Sequence, residues 1–190
     1  IYFAEVLESS DKKLLQEIKK DLLELPSKLE DILKEYKDII NIAKDIHNRD
    51  DMFFLGRGID YTASMEGSLK LKEISYIHSE SYPAGELKHG PIALIDEGYP
   101  VISIITDETL SHKTISNIQE VISRGAKTIV VTNDNINKSF DYVIKIPKTN
   151  KYLSPILSIV PLQLLSYYIA KERGLDVDKP RNLAKSVTVE

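Results

Sequence analysis

Cysteine is absent from all 190 residues, and so is tryptophan. The first absence excludes a disulfide framework, a cysteine-based metal site and a thiol nucleophile. It fits a reducing compartment, and a cytoplasmic location is the expectation, although a chain without cysteine is compatible with any. No apolar run reaches the ~18 residues of a membrane span, and the N-terminus lacks a signal-peptide pattern. No membrane association is therefore expected. Basic charge is not in excess either: 25 Lys and Arg against 29 Asp and Glu leave a net charge of −4. Nucleic-acid binding, which wants a basic face, is not expected. Residue 1 is Ile rather than Met, which suggests a fragment or a processed chain.

What is present reads as ordinary globular material, 42% hydrophobic and 28% charged. The length suits one domain, or one domain with an appendage. From Ser10 to about His47 the pattern is helical. Leu14, Leu15, Ile18, Leu22 and Leu25 recur at helical spacing, and Pro26 is expected to interrupt them. Ser27 can then cap a second helix whose apolar line is Leu29, Ile32, Leu33, Tyr36, Ile39, Ile40 and Ala43. The charged residues between these apolar positions read as a solvated outer face.

After Asp51 the rhythm changes. Met52–Leu55, Ile77–Tyr82, Val101–Thr106, Lys127–Thr132 and Tyr142–Ile146 read as strands. The intervening segments read as helices: Ala63–Ile77, then a stretch with Ile115, Ile118, Val121 and Ile122 that Gly125 stops, then Pro155–Ile169. Apolar strands joined by helical crossovers predict an α/β fold with a doubly wound parallel sheet. Residues 1–48 are expected as a helical lead-in, 49–175 as the α/β domain and 176–190 as an irregular tail. Residues 1–8 also resemble Tyr167–Glu172, as though a preceding copy of the same domain ended there.

Three places could carry chemistry. Gly56-Arg57-Gly58 follows a strand, where backbone N–H groups can cradle an anion, and a plain tight turn explains it as well. Glu66, Lys70 and Glu73 fall on one helical face, as proton-transfer groups or as helix-stabilising pairs. His89, beside Gly90 and Pro91, is expected on an accessible turn. His47, His78 and His112 have weaker surroundings and receive no role. No His and carboxylate set has metal-ligand spacing, so neither metal nor cofactor is expected.

Taken together, Leu55–Gly58, Glu66-Gly-Ser-Leu-Lys-Leu-Lys-Glu-Ile-Ser-Tyr-Ile-His78 and Gly85-Glu-Leu-Lys-His-Gly-Pro91 resemble one family, and Asp176-Val-Asp-Lys-Pro-Arg-Asn-Leu-Ala-Lys-Ser-Val-Thr-Val-Glu190 strengthens the likeness. The likeness is to the C-terminal half of the isomerase region of the glucosamine-6-phosphate synthases, the glutamine–fructose-6-phosphate aminotransferases. It runs over essentially the whole chain. It implies a sugar isomerase (SIS) domain, a five-stranded parallel sheet flanked by helices. Residues 1–8 would be the end of a first SIS domain. Most of that domain, with the Ser/Thr-rich loop that holds the sugar phosphate in the family, does not match this chain. On this likeness the glutaminase domain of the family, with its catalytic cysteine, would also lie outside the stretch that matches.

The resemblance also implies roles. Lys185 would form a Schiff base with the C2 ketone of fructose 6-phosphate. Glu73 would carry a proton between C1 and C2, a task that suits a carboxylate whose pKa burial raises. His89 would assist ring opening, and Lys70 would support proton transfer and charge balance. Arg181 and Ala184 would join Lys185 and Glu73 in binding substrate. Implied partners are the first SIS domain, the glutaminase domain and a second copy of the chain, the pocket being shared across a homodimer. The fragment alone is expected to have little synthase activity. Two alternatives remain: another SIS-fold sugar-phosphate isomerase, and a non-catalytic module that binds sugar phosphate or dimerises. The tail disfavours the first, and the joint presence of Glu73, His89 and Lys185 disfavours the second for the parent protein.

Overall fold

Five parallel strands form one sheet in the computed structural model, which describes residues 1–34, 37–136 and 139–183. In chain order they are β1 (Asp51–Gly56), β2 (His78–Pro83), β3 (Pro100–Ile105), β4 (Lys127–Thr132) and β5 (Tyr142–Lys145). The spatial order is β2-β1-β3-β4-β5, so β2 and β5 are the edges. The chain winds outward from β1 to β2, then returns past β1 to build β3, β4 and β5. Strand order thus reverses between β1 and β3, where open α/β sheets form a crevice at the strands' carboxyl ends.

Both faces of the sheet are covered, which is why its strands are apolar almost without alternation. Met52, Phe54, Ile102, Ile104, Ile129 and Val131 point to one side. There they meet α3 (Lys37–Ile46), α4 (Ile59–Ser75) and α6 (Ser154–Glu172), with α2 (Lys12–Lys34) joining through Leu25 and Ile32. Phe53, Leu55, Val101, Ile105 and Val130 point to the other side, against Ile118 and Val121 of α5 (Ser111–Ile122) and the segment carrying Leu87, Ile95 and Tyr99. Among the described residues, no helix is long and apolar enough to cross a membrane. A short first helix, α1 (Tyr2–Val6), buries none of its residues.

The five strands lie where the sequence pattern puts them, within a residue or two. Pro26 does not behave as expected: α2 runs through it without a break from Lys12 to Lys34. Proline's fixed φ is helical, and its cost is one missing N–H donor and crowding of the preceding turn. Burial of Leu15, Leu25 and Ile32 along one stripe holds the helix together across it. Ser27 consequently caps nothing, and its hydroxyl donates to the Glu24 carbonyl at 2.9 Å within the helix. Tyr36, placed by its pattern on the apolar line, lies outside the described residues.

Small residues let α4 sit close to its neighbours. Ser68 Oγ donates to the Ser79 carbonyl of β2 at 3.0 Å, and Ser79 Oγ returns a bond to the Ser68 carbonyl at 2.9 Å. On the side toward α6, a Cβ on Gly67 would lie 2.5 Å from Leu162 Cδ1. Gly67 and Ser75 are buried, whereas Leu69 stays 43% exposed.

Candidate functional site

The last two turns of α4 carry the charged face that the sequence singles out. Lys70 Nζ lies 2.7 Å from Glu73 Oε2 and 3.5 Å from Glu66 Oε1. The pair is half-buried: the Lys70 side chain is 31% exposed and that of Glu73 24%. The hydrogen bond to Glu73, then the charges of Glu73 and Glu66, raise the Lys70 pKa against a smaller opposing effect of burial. Lys70 is thereby kept as an ammonium ion beside a carboxylate that retains free oxygen lone pairs.

Tyr76 ends this helix in the left-handed region, with φ 60° and ψ 16°, and its N–H reaches the Lys72 carbonyl. Its side chain receives the C-terminal segment. The Arg181 backbone N–H donates to the Tyr76 hydroxyl at 2.7 Å, and the guanidinium carbon stands 4.2 Å from the ring centroid. The structure therefore brings Arg181 to the helix end that bears Lys70 and Glu73. Ala184 and Lys185, the other tail residues singled out, lie outside the described residues.

His89 occupies a single 3-10 turn, Leu87–His89, anchored by buried Leu87. Its side chain is 64% exposed, and its Nε2 lies 4.0 Å from Glu86 Oε2. That matches the accessible turn expected of it. Among the described residues it makes no polar contact with Lys70, Glu73 or Arg181. Glu73 precedes the start of β2 and His89 follows its end, and six strand residues span about 17 Å. One protomer does not bring this His and this Glu together.

Gly56-Arg57-Gly58 has a packing explanation. A Cβ on Gly56 would lie 2.4 Å from the Asp60 backbone, and Gly58 adopts φ 56°. Arg57 is engaged elsewhere, donating to Asn117 Oδ1 at 2.7 and 3.3 Å. His78 likewise has local partners, with Nδ1 2.9 Å from Asp51 and Nε2 3.5 Å from Glu80. Among the described residues, no cluster of three or more His, Asp or Glu could hold a metal ion.

One buried group escaped the sequence reading. Asp60, only 3% exposed, accepts from the Thr106 N–H at 2.8 Å, the Asp107 N–H at 3.2 Å and the Thr106 hydroxyl. Thr106 Oγ1 is also 2.9 Å from Ser154 Oγ. This network joins the starts of α4 and α6 to the end of β3. Burial raises the Asp60 pKa, against the bonds from Thr106 and Asp107. The available signal was an acid two residues inside a helix that follows a strand and a glycine turn. Beyond β3 and β4 opens a cleft of about 210 Å³ whose lining includes Thr106, Asp107, Ser111, Asn133 and Asp134.

Comparison with known proteins gives a consistent picture. The SIS domain family matches residues 45–172. A glutamine–fructose-6-phosphate aminotransferase [isomerizing] of Clostridium tetani is 54% identical over 193 residues, covering 100% of this chain and 32% of the relative. Its namesake from Clostridium perfringens is 56% identical over 195 residues, with the same two coverages. The chain thus spans about a third of the length of these curated relatives, and it matches their C-terminal part. Among solved structures, the C-terminal domain of the glucosamine-fructose-6-phosphate aminotransferase of Francisella tularensis superposes with a TM-score of 0.87. Its identity is 37%, over 93% of this chain and 50% of that one. A putative tagatose-6-phosphate ketose/aldose isomerase of Clostridium novyi shares the fold, with a TM-score of 0.79 at 19% identity, over 93% of this chain and 50% of that one.

Proposed function

The chain belongs to the SIS domain family, and from that premise we propose that it is the C-terminal part of the isomerase region of a glutamine–fructose-6-phosphate aminotransferase. In this reading residues 49–175 are the second SIS domain and 176–190 the catalytic tail. Residues 1–48 are the end of the first SIS domain with its helical linker. The reaction converts fructose 6-phosphate and glutamine-derived ammonia to glucosamine 6-phosphate in the cytoplasm.

The Lys185 amine attacks the C2 ketone and water leaves, giving a protonated imine. That cation draws electrons from the C1–H bond. Ammonia displaces the lysine at C2, regenerating its amine and leaving fructosimine. Glu73 then takes a proton from C1 and returns one to C2, moving the double bond and yielding the aldose amine. Lys70, held as an ammonium ion 2.7 Å away, offsets the carboxylate's charge and holds its orientation. Arg181 and Ala184 take part in binding the substrate.

The observation that carries this reading is the seating of Arg181 on Tyr76, at the end of the helix that bears Lys70 and Glu73. It supports a catalytic tail that starts from the helix end bearing Glu73, the carboxylate the chemistry needs. The separation of His89 from Glu73 along β2 supports a homodimer in which His89 of one copy serves the pocket of the other.

Borohydride reduction of the full-length parent protein with fructose 6-phosphate tests the imine. A sugar adduct on Lys185 is expected, and an active enzyme that traps none there would remove Lys185 as nucleophile. The fragment alone is expected to form a dimer with little ammonia-dependent synthesis. Turnover near that of the full-length enzyme would show that the first SIS domain is dispensable.

A further inference from the structure

We propose that Tyr76 is a positioning residue that clamps the C-terminal segment through Arg181 and so sets where the catalytic tail begins. The role rests on the functional reading above, because it matters to turnover only if Lys185 reacts with the sugar.

Three features converge on this side chain. First, Tyr76 sits at φ 60°, a conformation that glycine adopts freely and that a residue with a Cβ resists. A helix C-terminus of this kind usually carries glycine. Here a tyrosine stands at a position its backbone does not favour. Second, its hydroxyl accepts the backbone N–H of Arg181, so the tie does not depend only on the arginine side chain. Third, its ring faces the guanidinium at 4.2 Å, within the range of a cation–π contact.

These are the only polar ties from residues 176–183 to the body of the domain among the described residues. The Asp178 and Lys179 N–H groups turn back to Asp176 within the segment itself. Before the segment, the last backbone bond to α6 is that of the Leu175 N–H to the Ala170 carbonyl.

Along the sequence, the last tie before Lys185 moves from Leu175, ten residues away, to Arg181, four residues away. Four residues span at most about 14 Å. Tyr76 itself lies three residues, or about 4.5 Å along a helix axis, beyond Glu73. The effective concentration of a tethered group falls roughly as the three-halves power of tether length. Release of the clamp therefore lowers the local concentration of the Lys185 amine about fourfold.

The test uses the full-length parent protein and the variants Tyr76→Phe and Tyr76→Gly. Tyr76→Gly removes both contacts while relieving the backbone, so folding stability is expected to hold or rise. Its kcat is expected to fall at least about fourfold, with KM for fructose 6-phosphate within about twofold and faster hydrogen exchange at the Arg181 amide. Tyr76→Phe keeps the ring and loses the acceptor, so its kcat and exchange rate should fall between those of Tyr76→Gly and the wild type. Unchanged exchange at Arg181 in Tyr76→Gly overturns the clamp. Faster exchange with unchanged kcat overturns its positioning role. Failure to trap an adduct on Lys185 in the wild type overturns the catalytic reading instead, while the exchange measurement still decides whether Tyr76 holds the tail.

Discussion

Lys70 and Glu73 form a contact of 2.7 Å across less than one turn of α4, with Glu66 at 3.5 Å on the preceding turn. A pair so placed can stabilise a helix or move a proton, and substitution separates the two roles. Pairs three or four residues apart on a helix contribute about 0.2–0.5 kcal/mol to stability, whereas a positioned acid–base group contributes about 10²–10⁴-fold in rate. Glu73→Gln in the full-length protein is expected to cost kcat in that range while shifting the urea midpoint little. A variant with near-normal synthesis of glucosamine 6-phosphate would reduce the pair to a helix contact.

Asp60 gives a pH prediction. Its pKa is raised in the folded chain, so the folded state holds this proton more tightly than the unfolded state does. The resulting stabilisation is complete below the ordinary carboxylate value of 3.8 and is lost as pH rises through the raised value. Measured by urea unfolding from pH 4 to pH 7, the stability of the wild type relative to Asp60→Asn should decline as pH rises.

Gly67→Ala tests how closely α4 lies on α6. The new methyl would stand 2.5 Å from Leu162 Cδ1, closer than side chains approach, and 3.2 Å from Phe54 Cε1, a tight contact. Overpacking of about 1–3 kcal/mol outweighs the gain in helix propensity, which is at most about 1 kcal/mol. Net destabilisation by chemical denaturation is expected, with partial recovery in the double variant Gly67→Ala/Leu162→Val.

Pro26→Ala should stabilise the chain. Pro26 is exposed and interior to α2, so its replacement removes no buried contact and returns a donor to the Leu22 carbonyl. A gain of about 1–3 kcal/mol is expected from the propensity difference. An unchanged midpoint would mean that the helix has already adapted to the ring.

How far sequence reached depended on the kind of information each feature uses. Strands such as Val101–Ile105 were legible because a sheet covered on both faces needs continuous apolar runs, and few other structures do. Lys70 and Glu73 were legible as neighbours from helical period alone, but a role for them needed the resemblance in the tail. Local propensity alone misplaces Pro26, because it takes no account of the burial of Leu25 and Ile32 on either side of it. Asp60 is not legible as a buried group because its partners, Thr106 and Asp107, are 46 and 47 residues away, and an acid early in a helix does not by itself announce burial. Tyr76 was passed over for a related reason: a left-handed tyrosine cannot be told from a helical one until the backbone is seen.

The sheet's two outer strands have a consequence for how the domain behaves among its own copies. An unpaired edge offers a ready row of N–H and C=O groups to any neighbouring chain. Here one border is β2, whose six residues include His78 and Glu80 and end on Pro83, which has no N–H to offer. The other is β5, only four residues long and closed by Lys145. Charge, proline and brevity make both borders poor templates for adding a strand, so the sheet stops at five and resists growing into aggregates.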